Sequence, residues 1–255
     1  MNGYLGNWFA KIWNSARAFA KSNLLFLLSD QPTEAKMEEI VFKGVIFRVA
    51  YTNPKLVRSC WKDKTGRNLH SLAAAKTHLE QGGEKVTLLM NGGIYEPGLE
   101  PSGLYVENGQ QLKPLNLRTG KGNFFLKPNG VFLIRAGSGK AMVKDAADRL
   151  PSAMSLAIQS GPLLLKNGVV HPKFRRGSKN TLIRNGVGVH RDGRVVFAIT
   201  GKRELCNLWT FAMLFKTLGC DNALFLDGDL SRMVEDPKDG LSKRGFATFL
   251  AVVEP

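Results

Sequence analysis

Cysteine is scarce. Cys60, Cys206 and Cys220 are the only three in 255 residues, and no two of them have CxxC spacing. An odd, scattered set excludes a disulfide framework. The four histidines join no cysteine cluster at ligand spacing, so neither a metal nor another cofactor is expected. One bridge in an oxidising compartment and three buried thiols are both open readings. Long apolar runs are missing as well. The uninterrupted stretch at residues 24–28 is too short for a membrane span and short for the core of a signal peptide. Acidic residues are the minority, 21 against 36 Lys and Arg, which leaves a net charge of +15. Such a charge is either solvated surface or a preference for anions: phosphate esters, acidic headgroups or acidic polysaccharides. Helix-turn-helix, zinc-finger and aromatic RNA-binding signatures are all absent, so nucleic acid is not an expected partner.

What is present begins with an amphipathic stretch. Residues 4–28 read YLGNWFAKIWNSARAFAKSNLLFLL. Leu5, Trp8, Phe9, Ile12, Trp13, Ala16, Phe19 and Ala20 recur at helical spacing, broken by Lys11, Arg17 and Lys21. This is the pattern of a basic helix lying in a membrane interface. An interfacial anchor in residues 1–30, an atypical export signal and a helix docked on the domain are the three readings. Pro32 opens a polar linker. The chain therefore divides into a segment with linker, residues 1–37, and one domain, residues 38–255. The cell envelope or periplasm is the favoured location.

The domain has globular composition, 44% apolar and 22% charged, with 27 glycines for turns and close approaches. Residues 39–51 are strand-like, with Gly44 at a turn or bulge. A helix is predicted over residues 69–81, stopped by Gly82-Gly83, and a longer one over residues 204–218, stopped by Gly219. Asn108-Gly109, Asn129-Gly130, Asn167-Gly168 and Asp192-Gly193 each separate apolar runs, as two-residue hairpin turns do. Strands are expected over residues 86–90, 223–226 and 246–253. The fold class is mixed α/β of the α+β type: mainly antiparallel sheets with a few helices in one compact domain.

Two buried strands end in a polar residue followed by glycine, Asn91-Gly92-Gly93 and Asp227-Gly228. This is a way to present a functional group at a sheet edge with room for a ligand, and equally a way to begin a turn. Ser231 follows closely enough to help hold an oxyanion. Gln159-Ser160-Gly161-Pro162 joins two apolar runs. Arg184 opens the glycine-punctuated run RNGVGV, and arginine is the residue for bidentate phosphate contact. Between these lies the densest basic stretch, residues 171–179 (HPKFRRGSK). It reads as a solvated loop unless His171 and its neighbours face the same cleft.

In order, NGGIY, NFFLKPNGVF, QSGPLL, HPKFR, RNGVGV and LGCDNALFLDG together resemble the phosphodiester glycosidase family, specifically a short bacterial branch of it. That family includes the lysosomal enzyme that uncovers mannose 6-phosphate. The resemblance covers residues 39–253. It implies hydrolysis of a sugar-1-phosphate diester at the glycosidic bond, with a sugar phosphodiester or phosphorylated glycan as partner. Arg184 would hold the phosphate, while Asp227 would activate water or stabilise an oxocarbenium-like centre. Asn91 and Gln159 would bind sugar hydroxyls or phosphate, and Glu96 would be a second carboxylate beside Asp227. Gly92 and Ser160 belong to the same binding set, and Asn91, Gln159, Arg184 and Asp227 are expected in one cleft. Two rivals stand beside this reading. One is a non-catalytic envelope protein binding phosphorylated glycans, which needs Arg184 but not Asp227. The other is a scaffold on an anionic membrane surface.

Overall fold

A computed structural model of the chain describes residues 37–228, 230–235 and 245–254. The amphipathic stretch read at residues 4–28 lies outside them. Every strand pairing among the described residues is antiparallel.

The largest sheet has seven strands. In spatial order they are β1 (Met37–Phe42), β2 (Val45–Thr52), β15 (Val195–Thr200), β14 (Asn185–His190), β16 (Cys220–Asp227), β12 (Leu163–Lys166) and β13 (Val169–Val170). A second sheet runs β10 (Ala141–Asp145), β9 (Gly130–Arg135), β11 (Met154–Ser160), β7 (Tyr105–Glu107) and β8 (Gln110–Lys113). The third runs β17 (Met233–Val234), β4 (Val86–Asn91), β18 (Phe249–Val253) and β3 (Val57–Cys60). A two-stranded ribbon, β5 (Tyr95–Glu96) with β6 (Glu100–Pro101), stands apart. Among the described residues there are two α-helices, α1 (Leu72–Gln81) and α2 (Leu208–Thr217).

The alternation of side chains along each strand explains how the layers stack. Along β16, Leu224 and Leu226 enter a central core with Leu88 and Met90 of β4, Leu250 and Val252 of β18, and Phe132 and Ile158 of the second sheet. Ala223 and Phe225 point the other way, against Phe211 and Phe215 of α2. The outward residues of β18, Phe249, Ala251 and Val253, pack with Ala75 and Leu79 of α1. The two helices thus cover the outer faces of two sheets, while the inner faces of all three meet. Glycine in β14 follows from this: a Cβ on Gly186 would press into Phe211 and Phe215 of α2, and one on Gly188 into Phe215 and Cys220.

The expected turns hold at Lys43-Gly44, Asn108-Gly109, Asn167-Gly168 and Asp192-Gly193, where chain reversals join paired strands. Asn129-Gly130 differs. It is not a hairpin; Gly130 opens β9, where a Cβ would collide with the Leu163 side chain, and Asn129 Nδ2 donates to the Phe124 carbonyl. The second helix starts later than the pattern suggests. Asn207 caps it, its Oδ1 accepting from Thr210 N at 2.9 Å. Cys206 therefore lies outside the helix, bridged to Leu182. The last strand also starts late, at Phe249, with Phe246 bridged to His70. All three cysteines are free and buried.

Candidate active site

Three strand ends meet at one buried node. Asn91 closes β4, Asp227 closes β16 and Asn185 opens β14 directly opposite Asp227. Asn91 Nδ2 donates to Asp227 Oδ2 at 3.2 Å. Asn185 Nδ2 donates to both the carbonyl and Oδ1 of Asn91, at 3.0 and 3.1 Å, while Asn185 Oδ1 accepts from Asp227 N at 2.8 Å. Arg232 N adds a 2.7 Å bond to Asn91 Oδ1, and Gly228 N one of 2.7 Å to Asp227 Oδ1. Asn91 and Asn185 are buried, and Asp227 is half-buried. The Asn91 amide and the Gly228 N–H thus hold one carboxylate at the mouth of the sheet, and Asn185 braces Asn91 and the Asp227 backbone behind it, the kind of supporting shell a reactive group would need. Gly92 makes the approach close enough. Its N–H donates to Thr248 O at 2.7 Å, and a Cβ there would collide with Thr248 Oγ1.

Arg184 precedes Asn185 and is 1% exposed, so its charge is held almost entirely within the protein. Nε donates to the Cys206 carbonyl at 3.3 Å and Nη2 to Asn180 O and Oδ1 at 3.2 and 3.3 Å. The guanidinium lies 5.4 Å from the Phe225 ring centre. Its Nη1 would stand 3.8 Å from a Cβ on Gly228, the residue after Asp227. Cation and carboxylate therefore flank the same strand end. Arg184 also lines a cleft of about 490 Å³ with Asn123, Leu126, Lys173, Phe174, Arg175, Gly177, Ser178, Asn180, Leu208 and Trp209. None of these lining residues is acidic. Asn207 ties the basic stretch to the start of α2, its Nδ2 donating to the carbonyls of Arg176 and Ser178 at 3.1 and 3.0 Å.

The remaining expected site residues sit elsewhere or face inward. Gln159 is a backbone clamp: Oε1 accepts from Leu104 N and Asn116 N, both at 2.9 Å, and Nε2 donates to Asn116 O at 2.7 Å. A Cβ on Gly103 would collide with its amide, so the loop is moulded around this side chain. Ser160 Oγ donates to Leu226 O at 2.8 Å, joining β11 to β16 just short of Asp227. Ser231 closes the turn after Asp227, with Oγ donating to Gly228 O at 2.7 Å. His171 is buried and stacks on Phe174 at 4.7 Å, its Nδ1 accepting from Lys173 N at 3.1 Å. Burial lowers its pKa, so it is a neutral support for the basic loop. Glu96 is exposed on β5 and lines a separate cleft with Glu100, Lys113 and Arg118, which shares no lining residue with that of Arg184.

The profile of the family described as "Phosphodiester glycosidase" matches residues 84–253. The chain belongs to the phosphodiester glycosidase family. The matched span holds the whole Asn91–Asn185–Asp227 node and the basic cleft. The "Uncharacterized protein YigE" of Escherichia coli (strain K12) is 39% identical over 188 residues, 72% of each chain. Among solved structures, the catalytic domain of zebrafish N-acetylglucosamine-1-phosphodiester alpha-N-acetylglucosaminidase, auto-inhibited by its pro-peptide, aligns with TM-score 0.60 and 18% identity. That alignment covers 89% of this chain and 85% of the other. The "Putative exported protein" of Burkholderia pseudomallei K96243 aligns with TM-score 0.54 and 13% identity over 83% of this chain and 74% of its own. These distant likenesses show a shared fold.

Asn185 is the site residue that sequence reasoning missed. The signal was there, a polar residue between Arg184 and a glycine strand, but its role depends on sheet register. Trp209 was also passed over as cleft lining, whereas Lys173, Phe174 and Arg175 belong to the basic stretch open to both readings, a solvated loop and a cleft wall. Among the described residues, no group of three or more His, Cys, Asp and Glu could hold a metal, and no helix is long and apolar enough to cross a membrane.

Proposed function

We propose that this chain hydrolyses the glycosidic bond of a sugar-1-phosphate diester. The observation that carries the reading is the pairing of an amide-braced carboxylate, Asp227, with a buried guanidinium, Arg184, at one strand end. Bond breaking at the anomeric carbon sends the electron pair to the bridging oxygen and releases a phosphate monoester. Water adds to the sugar carbon and gives up its proton. A phosphate is already a good leaving group, so the site needs anion stabilisation more than a strong general acid. Arg184, with Lys173 and Arg175 beyond it, supplies that stabilisation by charge-assisted hydrogen bonds. Asp227 sits where a carboxylate would stabilise positive charge on the sugar or take the proton of water. Asn91 and Asn185 orient it, and Glu96, lining another cleft, is not required. The family's chemistry on phosphodiester-linked sugars supports a glycan substrate. An envelope setting is supported by the likeness to a protein named as exported.

The test is release of reducing sugar from a set of sugar-1-phosphate diesters. Turnover by the wild type and its loss in Asp227→Asn, with the fold retained, supports the reading. Tight binding of sugar phosphates without turnover across the set transfers the site to a binding module.

A further inference from the structure

We infer that the cleft beside Arg184 is a subsite for a phosphate monoester whose alcohol carries a flat ring, as a nucleotide does. The inference rests on the proposed phosphodiester chemistry for the position of the phosphate and adds the group esterified to it. The cleft has two kinds of wall. Lys173, Arg175 and Arg184 give it three cations, and none of its lining residues is a carboxylate, so an anion is the complementary occupant. Phe174, Leu126, Leu208 and Trp209 give it an apolar side, which inorganic phosphate alone would leave unfilled.

Phe174 is the ring built to receive a second ring. One face lies on His171, with centroids 4.7 Å apart and planes 24° apart, and the residue still lines the cleft. His171 is itself buried and accepts from Lys173 N, so one side chain sets both the platform and the neighbouring cation. Trp209 is occupied differently: Lys43 Nζ lies 5.5 Å and the Arg176 guanidinium 5.6 Å from its ring centre. Trp209 therefore walls the cleft, and Phe174 offers the stacking face. With Arg184 next to Gly228 and Asp227, the phosphate lies between the sugar on the Asp227 side and the ring on Phe174. The volume of about 490 Å³ accommodates such a monoester.

Isothermal titration of the full chain with uridine 5′-monophosphate, glycerol 3-phosphate, inorganic phosphate and uridine tests this without turnover. The nucleotide should bind about tenfold more tightly than glycerol 3-phosphate or phosphate, the scale of one stacked ring. Phe174→Ala should remove that advantage while leaving phosphate affinity unchanged, and Phe174→Trp should keep it. Arg175→Ala should weaken all three phosphates together. A thermal melt of each variant separates a lost platform from a lost fold. Equal affinity for nucleotide and phosphate, no nucleotide binding, or a Phe174→Ala effect equal on both overturns the subsite. Turnover of sugar phosphodiesters with no ring preference would leave the proposed activity standing and this inference refuted. Ring-dependent binding without turnover would do the reverse.

Discussion

Asn185→Ala puts the construction of the site under direct load. Asn185 is fully buried and makes three hydrogen bonds, two as donor to Asn91 and one as acceptor from Asp227 N. Asn91 Oδ1 keeps its bond from Arg232 N after the truncation, so it stays satisfied. Asp227 N loses the partner described for it. An orphaned buried donor costs about 1–3 kcal/mol, and each further lost bond about 0.5–1.5 kcal/mol. The expected loss of stability is therefore about 2–6 kcal/mol, read from urea unfolding by linear extrapolation. Turnover should fall by about ten- to a hundredfold, because the carboxylate loses its alignment. Asn185→Asp sharpens the test. It keeps an acceptor for Asp227 N but turns an oxygen toward two Asn91 oxygens and adds charge beside Asp227, so at pH 7 it should destabilise at least as much as alanine. A change within about 0.5 kcal/mol in both variants, the size of an ordinary surface substitution, would refute the reasoning.

Arg184→Ala and Asp227→Asn should fail differently. The arginine variant should weaken sugar-phosphate binding by about 1.5–3 kcal/mol along with turnover, whereas the aspartate variant should keep binding and lose turnover; titration beside a hydrolysis assay reads both. Gly92→Ala should cost about 1–3 kcal/mol from overpacking against Thr248, with Thr248→Ala restoring most of it; a melt of single and double variants decides. Burial pushes the thiols of Cys206 and Cys220 up to about 12 and that of Cys60 up as well, so at pH 8 all stay protonated in the folded chain. A thiol-disulfide reagent should accordingly find none of them until denaturant is added, and fast labelling of the native protein would contradict their burial. Removal of residues 1–35 should leave a soluble domain with a cooperative melt; an unfolded product would show that the segment belongs to the core.

The local grammar of the chain was legible where the backbone itself demands a residue type. Asn108-Gly109 and Asn167-Gly168 turn hairpins because both positions adopt positive φ. The same dipeptide at Asn129-Gly130 serves close packing against Leu163, a need that no local pattern distinguishes from a turn. The first residue of α2 was likewise hidden, because Cys206 has helix-compatible neighbours and only the Asn207 cap fixes the boundary. For the site, the rule that a buried strand ending in a polar residue and glycine presents that residue located Asn91 and Asp227. Asn185 escaped because its role exists only through its register opposite Asp227. Glu96 was expected as a second carboxylate beside Asp227, whereas the β5–β6 ribbon carries it to a cleft separate from that of Arg184.

The placement of β18 bears on when the Asn91–Asn185–Asp227 node can first assemble during synthesis. This strand, the last in sequence order among the described residues, lies between β4 and β3 in the middle of its sheet. It also delivers Thr248, on whose carbonyl Gly92 is seated. The strand holding Asn91 therefore lacks its central neighbour until residue 253 has been made. Asn91 and Asp227 are 136 residues apart in sequence, so no early fragment contains both. Domains assemble as units during translation, and contacts so distant along the chain close late. A growing chain accordingly holds Asp227 without its brace: the carboxylate is oriented by Asn91 only when β18 has slotted into place.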